Sequence, residues 1–145
     1  MEFPKNFSFK ELTDTNTGYD NRPESWEIVE TVIATGLKLD KIREKFGNPI
    51  RVNCCYRSDA VNRSVGGVSS SAHRLGLAAD ICAWSGTENE NRALYALLVG
   101  MVSEIEIDQL ILYTKVPGDK TSEIRFMHVG FRSGKNKPRK QLLFK

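Results

Sequence analysis

The stretch SAHRLGLAAD, Ser71 to Asp80, holds His73 and, seven positions later, the carboxylate Asp80. The chain has two histidines, and the other, His128, lies in FMHVGF. Two neutral imidazoles and one carboxylate suit a zinc ion that keeps a fourth position open, as catalytic zinc sites do. A closed structural site takes four protein ligands and is usually rich in cysteine thiolate. The donor set therefore points to catalysis if a metal binds.

The spacing constrains the elements that must present these groups. In the zincin motif two histidines stand four apart on one helical face. The longer gap from His73 to Asp80, interrupted by Gly76, does not fit one helix. His73 is expected in a loop, with Gly76 allowing a tight bend or a close backbone approach. Ala78 to Trp84 reads as a buried strand. Side chains alternate along a strand, so Asp80 shares a face with Ala78, and His128 shares one with Phe126 and Gly130. Two neighbouring strands would bring Asp80 and His128 to one point while His73 reaches in from its loop. Cys82, on the face of Asp80, is a reserve ligand. Cys54 and Cys55 are adjacent and do not make a zinc pair of the usual spacing. Three cysteines without a leader argue against a disulfide framework, so each reads as a small buried hydrophobe.

The chain has 145 residues, 40% hydrophobic and 27% charged, which suits one soluble domain over residues 1–145. Within it, residues 5–22 form an N-terminal arm held by Phe7, Phe9 and Leu12. No apolar run reaches the roughly 20 residues that span a bilayer. The start MEFPKNFSFKELTD lacks the apolar centre of a secretory signal, so synthesis in the cytoplasm is expected. The net charge of +3 is too small to imply nucleic acid. The basic segment 132–145, with RSGKNKPRK, reads first as a solvated surface loop. Its alternative is attraction to an anionic polymer, either nucleic acid or a cell wall, but no nucleic-acid-binding motif accompanies it.

Asn21, Arg22, Pro23 and Glu24 form a helix-start signal. Apolar recurrence from Ile28 to Phe46 then predicts an amphipathic helix closed by Gly47, with Gly36 marking a break. Ile50–Tyr56 reads as a strand, and Ser58 caps a short helix ended by Gly66 and Gly67. Thr87 caps a longer helix. Asp108–Tyr113 and Ile124–Phe131 form a strand pair, and Gln141–Phe144 a last edge strand. This order predicts an α+β fold: a mainly antiparallel sheet with helices packed on one side.

Taken together, YRS, VGGVSSSAHRLGLAADI, DQLILY and FMHVGF resemble the zinc D-alanyl-D-alanine carboxypeptidases and the related phage endolysin peptidases, which share the hedgehog-type fold. The family pattern Ser-x-His-x-x-Gly-x-Ala-x-Asp is matched by Ser71, His73, Gly76, Ala78 and Asp80. The resemblance covers about residues 6 to 143. It implies one zinc ion on His73, Asp80 and His128, and a substrate-holding arginine at Arg57. A guanidinium suits that role because its fixed, forked donors fit a carboxylate or a developing oxyanion. Ser71 falls to loop ordering and substrate binding, since no third histidine activates it. The implied substrate is the peptide of peptidoglycan, and a monomer is expected.

Two departures concern the general base. Relatives carry a carboxylate three residues before the last histidine, where this chain has Arg125. Others in the subgroup end the DQLI strand with glutamate, where this chain has Tyr113. Glu123 is the carboxylate nearest His128 in sequence and the candidate base, although five residues away it falls on the opposite face of an ideal strand. Asp108 and Asp119 are further candidates. Cys55 stands where relatives have glycine. The leading expectation is a peptidase of phage-endolysin type that acts on the wall after release. The alternative is a non-catalytic, zinc-stabilised wall-binding or virion module that has lost its base.

Overall fold

Side-chain caps punctuate the chain. Ser8, Ser25, Ser58 and Thr87 each accept a hydrogen bond from a backbone N–H three residues on, which satisfies a donor that a helix start otherwise leaves free. The computed structural model describes residues 1–145. Its helices are α1 (Phe9–Leu12), α2 (Trp26–Phe46), α3 (Asp59–Ser64) and α4 (Glu88–Met101). Its strands are β1 (Ile50–Cys54), β2 (Ala78–Ala83), β3 (Gln109–Thr114), β4 (Ile124–Gly130) and β5 (Gln141–Phe144). A 3-10 turn, Ala72–Leu75, precedes β2.

The long helix starts later than the Asn-Arg-Pro-Glu run suggests, because Ser25 is its cap. Asn21 is buried instead and ties three segments together. Its amide donates to the Thr13 and Tyr56 carbonyls, and its oxygen accepts from Ser58 N. The expected break at Gly36 does not occur. A Cβ there would lie 2.5 Å from Pro4 Cγ and 2.8 Å from Leu12 Cδ1, so the glycine admits the N-terminal arm against an unbroken helix. Phe7 and Leu12 are buried in that arm, whereas Phe9 is exposed. The buried Asp40 adds an anchor by accepting from Lys5 N and Asn6 N.

The fold is α+β. The sheet order is β1-β2-β4-β3-β5, antiparallel at every pairing except β3 with β5, which is parallel. One face is apolar: Ala79, Ile81, Leu110, Leu112, Met127 and Val129 share a core with Val32, Leu39, Leu94 and Leu98 of α2 and α4. Full burial of each large aliphatic side chain contributes about 1.5–3 kcal/mol. That face fixes the register, because a one-residue slip would turn the whole set outwards. The opposite face is thereby assigned to Asp80 and His128.

The C-terminal basic segment is partly structural. Arg139 donates to the buried Asp108 from its backbone N and from Nε and Nη2, which delivers the chain to β5.

Candidate metal centre and its surroundings

The turn before β2 places His73. Ser71 caps it by accepting from His73 N at 3.3 Å, so its hydroxyl serves the loop. Gly76 closes it at φ +74, and a Cβ there would meet Val32 Cγ2 at 2.6 Å. Both roles expected of this glycine, the bend and the close approach, are thus present. Arg57 N donates to His73 O at 2.9 Å, which fastens the turn to the segment after β1.

Asp80 and His128 are direct partners across β2 and β4. His128 Nδ1 lies 2.9 Å from Asp80 Oδ1, and His73 Nε2 lies 3.2 Å from the same oxygen. The two rings meet edge to face, with centroids 5.1 Å apart. Gly130 leaves room for the second ring, since a Cβ there would come within 3.2 Å of His128 Nε2. Arg57 Nη2 stands 3.6 Å from Asp80 Oδ2. His73, Asp80, His128 and Arg57 are therefore brought together, from a turn, two strands and the loop after β1.

The electrostatics call for a cation between these groups. His73 Nδ1 sits 2.6 Å from the Cys55 carbonyl. That carbonyl accepts a proton on Nδ1, which leaves the Nε2 lone pair of a neutral ring aimed at a carboxylate. Two electron-rich atoms at that distance need a proton or a metal ion between them. Without metal the proton serves: burial alone would lower the pKa of His73, but its bonds to Asp80 and Cys54 outweigh burial and hold it at about 9. Burial would likewise raise Asp80, but its bonds to His128 and His73 keep it well below the usual carboxylate range. A divalent ion supplies the same charge. An imidazole whose second nitrogen is held by a backbone carbonyl is the usual supporting arrangement for a metal-bound histidine, so the donor set fits zinc.

Tyr113 and Phe126 stack at 4.5 Å beside this row. Burial and the Asp80 charge raise the Tyr113 phenol above its ordinary value, so it is a proton donor rather than a base.

The candidate base does not join the cluster. Glu123 precedes β4, and its exposed carboxylate pairs with Lys115 at 3.9 Å. Five residues of extended chain put it about 16 Å from His128, beyond the register shift between Tyr113 and Thr114. Asp108 is taken by Arg139, and Asp119 accepts from Thr121. Cys82, the reserve ligand, is turned to Asn53.

One group near the metal position was not foreseen as such. The donor atoms of Cys54, His73 and Asp80 all lie within 4.8 Å of one another. Cys54 and Arg57 also line a cleft of about 300 Å³ whose rim carries the carboxylates Glu11 and Asp14. A cavity of about 360 Å³ between α2 and residues 131–134 contains none of the cluster.

A sheet with helices on one face and, on the other, Asp80 and His128 met by His73 from the turn before β2 makes a metal-dependent hydrolase type of site. Residues 5–99 match the model of Peptidase M15, and the chain belongs to that family. His73 and Asp80 lie inside the matched residues; His128 lies beyond them and reaches the site by strand register. A curated relative, the zinc D-Ala-D-Ala carboxypeptidase of Streptomyces albus G, is 37% identical over 84 residues, 57% of this chain and 33% of that protein. The chain thus spans a third of the length of that relative.

Proposed function

We propose that the protein is a zinc-dependent peptidase that hydrolyses amide bonds in peptidoglycan stem peptides or crosslinks, in the manner of a phage or prophage endolysin. The observation that carries this reading is the convergence of His73 Nε2 and His128 Nδ1 on Asp80 Oδ1, at 3.2 and 2.9 Å. When bound, zinc supplies Lewis-acid polarisation of the scissile carbonyl and a water whose pKa is lowered towards about 7.

The chain's own groups do the rest. The Cys55 carbonyl fixes the His73 tautomer, and Asp80 holds the two rings in place while offering its carboxylate to the cation. Arg57, partly buried, faces Asp80 Oδ2, Cys54 Sγ and Asn62 Oδ1 with its guanidinium, and its role is to take a substrate carboxylate or developing oxyanion beside Asp80. Ser71 contributes by ordering the turn, and Tyr113 stands where its phenol can donate a hydrogen bond. The cleft beside Cys54 and Arg57 is the entry for the peptide; the carboxylates Glu11 and Asp14 line it, whereas His73, Asp80 and His128 do not. The protein acts as a monomer on the wall after release from the cytoplasm where it is made.

The test is release of new amino groups from purified peptidoglycan by zinc-loaded protein. His73→Ala should abolish release, and Arg57→Ala should slow it by about 10²–10³-fold, the usual cost of losing one oxyanion donor. No release from several wall types, with zinc demonstrably bound, overturns the reading. A second reading, a zinc-stabilised wall-binding or virion module, is favoured by one observation: Arg125 and Tyr113 stand where relatives hold a base, and Glu123 is paired elsewhere. It predicts wall pull-down without cleavage.

A further inference from the structure

Strand register puts a thiol in the metal-binding row. Along β1 and β2 the partners are Ile50 with Ala83, Arg51 with Cys82, and Val52 with Ile81, but then Cys54 with Asp80. Asn53 is the extra residue of a β-bulge. A bulge sets two residues against one and re-aims the side chains that follow. Without it, Asn53 would stand opposite Asp80. With it, the row across the sheet reads Cys54, Asp80, His128. Directly opposed residues in a sheet have Cβ atoms about 4.5–5.5 Å apart, so Cys54 and His128 each neighbour Asp80, one on either side of it.

Three further observations agree. The donor atoms of Cys54, His73 and Asp80 fall within 4.8 Å of one another, and Cys54 Sγ packs against the His73 ring, 3.8 Å from the Nδ1 that the Cys55 carbonyl holds. Arg57 Nε donates to Cys54 Sγ at 3.2 Å while its Nη2 faces Asp80, so one guanidinium supports both anionic donors. The thiol is partly exposed to the cleft, so an ion or a reagent can reach it.

We infer that Cys54 is a fourth, displaceable metal ligand: its thiolate joins His73, Asp80 and His128 on the ion and fills the position that a hydrolytic site leaves open. The inference rests on the metal-site reading above. On binding, the thiol proton passes to solvent and the sulfur lone pair goes to the metal. The resting site is then closed by four protein donors, as in structural zinc centres. A substrate must displace the sulfur, and the released thiolate is then held by its hydrogen bond from Arg57 Nε or takes back a proton from solvent. The bulge thus supplies a latch on the open position.

Cobalt(II) substitution tests this with a readout independent of activity. The wild-type protein loaded with cobalt should show visible d–d bands and a near-ultraviolet thiolate-to-cobalt charge-transfer band. Cys54→Ser should keep the first and lose the second, and Cys82→Ser should keep both. Zinc affinity of Cys54→Ser should fall at least as far as the roughly 10–100-fold lost with a supporting partner of a ligand. In the unmutated protein, zinc should protect Cys54 from alkylation, read by mass spectrometry, so the outcome does not depend on a variant folding. Visible bands without the near-ultraviolet band, or alkylation of Cys54 unchanged by zinc, overturn the role of Cys54 and leave the His-Asp-His site standing. No metal uptake of any kind overturns both.

Discussion

His128 Nδ1 reaches Asp80 Oδ1 at 2.9 Å from the directly opposing position on the neighbouring strand. The centre is therefore held by sheet register as well as by local loops. Preserving the apolar face of β2 and β4 preserves the register that this contact needs.

The first consequence concerns pH. The folded pKa of His73 is raised from its ordinary 6.5 to about 9. Its contribution to metal-free stability is fully present below 6.5 and is lost as pH rises through about 9. Asp80 is shifted down from its ordinary 3.8, so its contribution is present above that value and is lost as pH falls below it. Denaturation in chelator should therefore show greatest stability from this pair between about pH 4 and 6.5 and a decline towards pH 9. Metal competes with the His73 proton, so zinc affinity should rise over that same alkaline range. A flat profile in chelator would contradict this account.

Gly76→Ala should weaken both fold and metal site. Its φ of +74 disfavours any residue with a Cβ, and that Cβ would collide with Val32 Cγ2 at 2.6 Å. The backbone conformation alone costs roughly 1–2 kcal/mol. Thermal unfolding should shift down, and zinc titration should show weaker binding, because His73 sits in the turn this glycine closes. Unchanged zinc affinity would mean that the turn does not set the ligand position.

Glu123→Gln should leave wall hydrolysis at the wild-type rate, because that carboxylate belongs to a surface pair with Lys115. The informative substitutions are Glu11→Gln and Asp14→Asn on the rim of the cleft. A loss of about 10²–10⁴-fold in turnover with metal content unchanged would mark one of them as the proton acceptor, and wild-type turnover in both would exclude the cleft carboxylates from that role. Rate profiles against pH for each variant separate a lost base from a lost fold.

Asp108→Ala should free the C-terminal segment without touching the metal. The buried carboxylate accepts from three nitrogens of Arg139. Losing it leaves those donors to solvent, so the effect is local to the segment they anchor. Amide exchange should rise across Gln141–Phe144, while zinc stoichiometry stays at wild type.

Much of the centre was legible because two-residue alternation is a strong signal. It placed Asp80 and His128 on facing sides of neighbouring strands, and the glycine between His73 and Asp80 marked the turn. Other features left no local trace. The bulge at Asn53 that aims Cys54 has no signature residue, so that thiol read only as a buried hydrophobe. Asn21 and Ser25 are both good helix caps, and the choice between them came from contacts with Thr13, Tyr56 and Ser58. The parallel pairing of β5 with β3 depends on where Arg139 meets Asp108, a contact 31 residues apart in sequence. The pairing of Glu123 with Lys115 likewise follows from how the β3–β4 hairpin closes.

The triple tether made by Asn21 has a practical side. Its amide reaches the carbonyl of Tyr56 and its oxygen reaches the N–H of Ser58, the residues on either side of Arg57. The leading arm is thereby part of the foundation under the guanidinium. Trimming that arm to obtain a smaller reagent would loosen the segment that carries Arg57 while sparing the histidines, so metal uptake should persist while the peptide hydrolysis proposed above falls.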